Sequence, residues 1–195
     1  MSNTYVGTVE QAELIHDIIA TAGWGITLEC VHVVQALDPQ AYTFGVDKQG
    51  RHMGVGFGCG FDKSAWIGHL VVRPEGRGQG IGHQLFDTLL NGLKERGKWP
   101  IYLTATEMGA PIYAKFGFIE DGGLTRWERP GDGKSDFANF IELTPNVTTR
   151  IMEDRDLEAV IAFDTACFGD NRGPIIEKFH SLYPGEGWIA QDPAG

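Results

Sequence analysis

The chain has 195 residues, 42% hydrophobic and 22% charged, with a formal net charge of −10. That length buries the core of one domain, or of one plus a fragment, and the acidity opposes nucleic-acid binding, which asks for a clustered basic face. Apolar runs fall far short of a membrane span, and no basic region followed by an apolar stretch opens the chain, so a cytoplasmic protein without membrane contact is expected.

Residues 4–9 read as a strand. Thr8-x-x-Gln11 is a capping-box pattern, and Ala12, Ile15, Ile18, Ile19 and Ala22 form a helical stripe that stops at Gly23. After Trp24 and Gly25, a second helix is predicted over 27–37, closed by Asp38-Pro39. Residues 41–47 and 52–61 read as a hairpin around Lys48-Gln49-Gly50. The run Ala65–Val72 reads as a buried central strand, ended by Arg73-Pro74 because proline has no N–H to give a ladder.

Next comes Arg77-Gly78-Gln79-Gly80-Ile81-Gly82, and an amphipathic helix follows at once. Its apolar face is Ile81, Leu85, Phe86, Leu89, Leu90 and Leu93, and it stops at Gly97. Glycines between a strand and a helix N-terminus accept positive φ and aim backbone N–H groups at one anion. A Walker loop is excluded, because no Lys-Ser/Thr follows. A dinucleotide fingerprint needs GxGxxG, whereas Gly78, Gly80 and Gly82 are spaced GxGxG with no preceding βαβ unit. A glycine-rich turn without a ligand stands as the alternative.

Residues 101–105 read as a strand and 110–116 as a short helix stopped by Gly117; a strand through about residue 129, a turn over 130–134 and a strand over 137–143 follow. From about Thr144 a new pattern begins. Residues 146–152 read as a strand, Asp154 as an N-cap, Leu157, Val160 and Ile161 as one helix face, Ile175, Ile176, Phe179 and Leu182 as another, and 188–191 as a closing strand. Strand, helix, helix, strand is also how residues 4–47 are ordered. Cys30, Cys59 and Cys167 are odd in number and form no CxxC pair, so reduced, buried thiols are expected. The six histidines show no ligand spacing, so no metal is implied.

Two motifs carry a family resemblance. Arg77 to Gly82 meets [RQ]-x-x-G-x-[GA] directly after the Leu70-Val71-Val72 strand, and resembles the acyl-CoA pyrophosphate loop of the GNAT superfamily of N-acetyltransferases. Tyr113-Ala114-Lys115-Phe116-Gly117-Phe118 matches the Y-x-x-x-G-F signature of the short helix that follows in that family. The resemblance covers roughly residues 4–130. It implies an α/β (α+β) fold, the GNAT acyl-CoA N-acyltransferase fold, with a mixed central sheet of splayed strands flanked by helices. Residues 1–143 are then a GNAT acetyltransferase domain. Residues 144–195 are either part of a second GNAT-like unit, as in tandem acetyltransferases, or an unrelated C-terminal extension; an incomplete second unit favours a homodimer.

The resemblance further implies an N-acetyltransferase that passes the acetyl group of acetyl-CoA directly to an amine, with no metal. Carried over by position, Leu70, Val71 and Val72 supply strand contacts to the pantetheine. The N–H groups of Gln79, Gly80, Ile81 and Gly82 take the pyrophosphate, Gly78 gives close approach, and Arg77 contributes a charge or braces the loop. Tyr113 matches the tyrosine that donates a proton to the CoA thiolate or orients the thioester; its other reading is a core aromatic with its hydroxyl at the surface. The general base stays open between His69, just before Leu70, Glu29, on the helix pair that roofs the acceptor site in this family, and Glu107, past the fifth strand. Strand alternation sends His69 to either face, and exposed glutamates are commonly just solvated charges. Trp24 lines the acceptor pocket or packs in the core. Cys59 and Cys167 lack a base partner, which argues against a covalent acyl-enzyme. The acidity favours a cationic acceptor, a small amine or a protein amine. A CoA-binding sensor or scaffold without catalysis, and an acyltransferase for a longer acyl-CoA or an oxygen acceptor, are the rival readings.

Overall fold

Punctuation sets the element boundaries in the computed structural model, which describes residues 3–125 and 146–192. Strand β1 (Asn3–Val6) gives way to a 3-10 turn at Val9–Gln11, so the expected strand over 4–9 is cut short. The turn forms because the Thr8 N–H donates to Gln11 Oε1 at 2.9 Å, one half of a capping box. Helix α1 (Ala12–Ala20) and helix α2 (Leu28–Leu37) follow. Thr27 caps α2 by accepting from the Cys30 N–H at 3.4 Å.

Strands β2 (Tyr42–Val46) and β3 (His52–Gly60) form the hairpin. Its turn is closed by Asp47, whose Oδ1 accepts from the N–H groups of Gln49 at 2.9 Å and Arg51 at 3.0 Å. Strand β4 (Ala65–Val72), helix α3 (Ile81–Glu95), strand β5 (Ile101–Leu103) and helix α4 (Ala110–Lys115) complete this part. Residues 119–125 carry no strand. Gly122 and Gly123 interrupt that run, and Ile119 and Leu124 are 88% and 80% exposed, so no apolar face holds it to the sheet. The expected turn over 130–134 and strand over 137–143 lie outside the described residues.

The sheet runs β1-β2-β3-β4-β5, antiparallel except for the β4–β5 pair. Helices α1 and α2 cover one face, where Ile15, Ile18, Ile19 and Val31 pack with Tyr42, Phe44, Val55 and Phe57. Helix α3 covers the other, and all six residues of its apolar stripe are buried. Burying each such side chain stabilises by about 2 kcal/mol. The two helix layers make different demands on β3. Val55, Phe57 and Cys59 face α1 and α2, whereas the alternate positions are glycines because α3 sits very close. A Cβ on Gly54 would lie 2.9 Å from Leu85, and one on Gly56 would lie 2.9 Å from Leu89; in β2, one on Gly45 would lie 2.6 Å from Ile81.

Beyond residue 146 lie strand β6 (Thr148–Ile151), helix α5 (Leu157–Phe168), helix α6 (Gly173–Leu182) and strand β7 (Trp188–Gln191), with β6 and β7 paired antiparallel. The cap of the intervening 3-10 turn is Glu153, not the expected Asp154. The Glu153 N–H donates to Asp156 Oδ2 at 2.9 Å, as Thr8 does to Gln11. Spacing matches as well. Strands β1 and β6 begin at 3 and 148, helices α1 and α5 at 12 and 157, and helices α2 and α6 at 28 and 173, each 145 residues on. Helix α6 packs against α2. Cys30 is half-buried, Cys59 buried and Cys167 exposed, all as free thiols; Cys167 escapes the expected burial because no residue of α5 is buried. Among the described residues no helix is long and apolar enough to cross a membrane.

A buried carboxylate fastens this segment to the sheet. Asp170 Oδ2 accepts from the Lys63 N–H at 3.0 Å, the Ser64 N–H at 2.7 Å and the Ser64 hydroxyl at 2.7 Å, at the entry to β4. Phe168 stands edge-on to Phe61 at 5.6 Å beside it, with the Arg172 guanidinium 4.0 Å above its ring. Burial alone raises the pKa of Asp170, but the hydrogen bonds from Ser64, Lys63 and Asn171 outweigh it and hold the carboxyl near 2. Asp170→Asn is therefore expected to lower unfolding free energy at pH 7 by about 2 kcal/mol. Because the folded-state value lies below the ordinary 3.8, the contribution of Asp170 is present above that pH and lost as pH falls toward 2. Urea titrations of both proteins at pH 7 and pH 3 check this: the gap narrows at pH 3, and an unchanged gap refutes the assignment.

Candidate active site

Register creates the site. Val71 pairs with Val55 and Gly68 with Phe57, so His69 and Leu70 of β4 together face Gly56 of β3. This is a β-bulge, with one extra residue on the bulged strand. His69 takes it up with φ of +49°, in the left-handed region that non-glycine residues enter at a cost. On the other edge of β4 the parallel ladder reaches only Ile67↔Leu103. Past that point the two strands part, and a cleft of about 1380 Å³ opens between Gly68–Val72 and the chain that leaves β5. The splayed sheet expected of the fold is thus built from a bulge on one side and an abandoned ladder on the other.

The cleft ends at the first turn of α3. Gly78 and Gly80 have φ of +76° and +80°, which glycine alone adopts readily, and among the described residues no side chain caps the helix. The N–H groups of Ile81, Gly82 and His83 have no intrahelical acceptor and open toward the cleft with the positive end of the helix behind them. Such a cradle fits a phosphate or pyrophosphate. Arg77 braces it, its Nε donating to the Val72 carbonyl at 3.1 Å. Arg73 is committed elsewhere, in an ion pair with Asp17 of α1.

Tyr113 lines the cleft, and the end of α4 dictates where. The Phe118 N–H donates to the Tyr113 carbonyl at 3.2 Å and the Gly117 N–H to the Ala114 carbonyl at 3.1 Å, with Gly117 at φ +83°. This pair of bonds is the Schellman motif. Phe116 and Phe118 then pack on Phe86 of α3 at 4.8 and 5.4 Å, and Tyr113 meets the same ring at 4.8 Å. The Tyr113 hydroxyl makes no hydrogen bond among the described residues, and burial pushes its pKa above the ordinary value, so it is a phenol at neutral pH.

His69, Leu70, Val71, Val72, Arg77, Gly78, Gly80, Ile81, Gly82, Glu107 and Tyr113 all line this one cleft, as does Trp24. Two predicted site residues do not. Gln79, expected to serve through its backbone N–H, is absent from the lining, and its side-chain amide donates to the Glu75 carbonyl at 3.1 Å. Glu29 is exposed in the first turn of α2, where hydrogen bonds from its own N–H and from Thr27 hold its carboxyl below the ordinary range. It serves the helix end, because a carboxylate there meets unpaired N–H groups and the helix dipole. The structure adds Tyr42, whose hydroxyl is 3.0 Å from His69 Nδ1. Burial pushes the imidazole of His69 down to about 4, so it is neutral at pH 7. Tyr42 lies 27 residues from His69, and only the combined register of β2, β3 and β4 brings them together. The structure also adds His83, in the first turn of α3, which lines the same cleft.

A profile of the acetyltransferase (GNAT) domain matches residues 26–128. No curated protein sequence matches the chain. Among solved structures, a predicted acetyltransferase of Pyrococcus horikoshii superposes with a TM-score of 0.70 at 20% identity, over 93% of this chain and 62% of that one. The chain therefore spans less than two thirds of that relative's length. A Mycobacterium tuberculosis protein in complex with CoA gives a TM-score of 0.54 at 19% identity, over 64% of this chain and 76% of its own. A predicted acetyltransferase of Clostridium acetobutylicum with acetyl-CoA gives 0.52 at 20% identity, over 66% and 96%. With the profile spanning more than half of the residues and the splayed sheet in place, the chain belongs to the GNAT acetyltransferase family.

Proposed function

We propose that the chain is an acetyl-CoA-dependent N-acetyltransferase acting by direct transfer in a ternary complex. The observation that carries this reading is the continuity of one cleft. It joins the unpaired edge of β4, the uncapped N-terminus of α3 and the phenol of Tyr113. The two neighbours captured with CoA and with acetyl-CoA support the same ligand class. In this reading Leu70, Val71 and Val72 hold the pantetheine along the strand edge, and the first-turn N–H groups of α3 hold the pyrophosphate. Acetyl-CoA supplies an activated acetyl thioester. Tyr113 donates a proton to the departing sulfur, a task suited to a phenol that stays protonated at neutral pH. His69 and Glu107 are the two sequence candidates for the general base that line the cleft. Trp24 and Ile26, from the α1–α2 connection, wall the opposite side. A cationic small amine or a protein amine fits the acidic surface.

We also propose that residues 144–195 open a second unit of the same fold. The matched spacing and the matched cap support this, and so does a difference in burial. Ile18 of α1 is wholly buried against the sheet, whereas Phe163, its counterpart 145 residues on, is 72% exposed. We propose that this exposed part of α5 meets a second copy of the chain. Sedimentation of the wild type is expected to show concentration-dependent dimers and of Phe163→Asp only monomers; monomers in both would dismiss the dimer.

For the cleft, isothermal titration with acetyl-CoA is expected to give one-to-one micromolar binding, with none for NAD or ATP. Gly80→Glu, which sets a carboxylate in the anion cradle, should weaken acetyl-CoA at least about 100-fold while circular dichroism stays unchanged. Unaltered affinity would remove the cradle. Tyr113→Phe should slow turnover about 100-fold with acetyl-CoA affinity retained, and an unaltered rate would take proton donation away from Tyr113.

A further inference from the structure

We propose that Tyr42 is a positioning residue that holds His69 in its Nε2–H tautomer, so that His69 offers a hydrogen-bond donor to a substrate oxygen and is not the general base. The use of that donor rests on the acetyl-transfer reading above; the tautomer does not.

Donor accounting leads to this assignment. Tyr42 is 1% exposed, so its phenol cannot turn to water. A buried O–H has to donate, and the only hydrogen-bond partner of the Tyr42 hydroxyl among the described residues is His69 Nδ1, at 3.0 Å. The other titratable group whose charge is felt at Tyr42, the Cys30 thiol of α2, bonds instead with Thr27. The phenol stays protonated, because burial raises its pKa. Nδ1 must then accept, which leaves the single ring proton of the neutral imidazole on Nε2. That nitrogen has no partner among the described residues, and the half-buried ring lines the cleft.

The surroundings fix the ring as well as its proton. Tyr42 and Phe57 are cross-strand partners of β2 and β3. The His69 ring lies nearly parallel to Tyr42 at 6.1 Å and edge-on to Phe57 at 4.8 Å. The bulge puts His69 into this aromatic corner. An Nε2–H held this way suits an oxygen with lone pairs to offer, such as a carbonyl that gains negative charge in the transition state. It cannot take a proton from an ammonium, since its one free nitrogen already carries a hydrogen. Proton removal then falls to Glu107, the carboxylate of the cleft, or to water.

The test begins with the substrate-free wild type, labelled with ¹⁵N-histidine, in a long-range ¹H–¹⁵N correlation spectrum at pH 7. The Nε2–H pattern is expected for His69, and an Nδ1–H pattern overturns the proposal whatever the protein catalyses. Kinetics then address the donor. His69→Gln keeps an N–H near the place of Nε2 without basicity, and should retain turnover within about tenfold, whereas His69→Ala should lose about 100-fold. Equal losses in both would restore the base and sink the donor. Tyr42→Phe should slow the wild type but add nothing in the His69→Ala background; additive losses would mean that Tyr42 does not act through His69.

Discussion

Everything in the cleft depends on one surplus residue in the central strand. Were β4 regular, its ladder with β3 would continue unbroken and nothing would turn its far end from β5. Because His69 and Leu70 share a single partner, the strand twists and bends just where the parallel ladder gives out. The left-handed backbone of His69 costs on the order of 1–3 kcal/mol. The aromatic corner of Tyr42 and Phe57, with its hydrogen bond, sets against that strain a contact that only the bulged strand makes.

The charge balance places a second demand on the same region. A chain with a net charge of −10 repels a polyanion at a distance, although screening confines most of that repulsion to within about 10 Å. Attraction has to be local, and little of it comes from arginine: Arg73 is paired with Asp17 and Arg77 bonds to the strand end. The cradle relies on backbone N–H groups and the helix end, which carry no net charge and do not titrate.

What was legible in the sequence was whatever repeats locally. The 3.6-residue stripe of α3 named all six of its buried residues, Thr27 announced α2, and the hydrophobic run Ala65–Val72 ended at its proline. The glycine turn and Tyr113 were legible because each belongs to a helix end, and helix ends are written in a few adjacent letters. What escaped was register. No pattern in Gly68-His69-Leu70-Val71 signals an extra residue, and so the partnership of His69 with Tyr42 was hidden. That Glu29 stands outside the cleft was hidden as well, because a carboxylate in a first turn reads the same whether it faces a ligand or the helix itself. The Asp170 anchor spans more than a hundred residues and rests on the backbone of Lys63 and Ser64, which side-chain patterns do not reveal.

The end of α4 changes how its motif should be read in other chains. In Tyr113-x-x-x-Gly117-Phe118, the spacing is that of two hydrogen bonds closing a helix, the glycine is the residue that turns left-handed, and the last phenylalanine covers Phe86. Folding alone would preserve these letters in a descendant that had stopped doing chemistry. A phenylalanine at 113 would satisfy the helix end and the packing equally well. The only part of the signature that stability does not already demand is one phenolic oxygen, so the motif by itself reports a well-closed helix end and says nothing of chemistry.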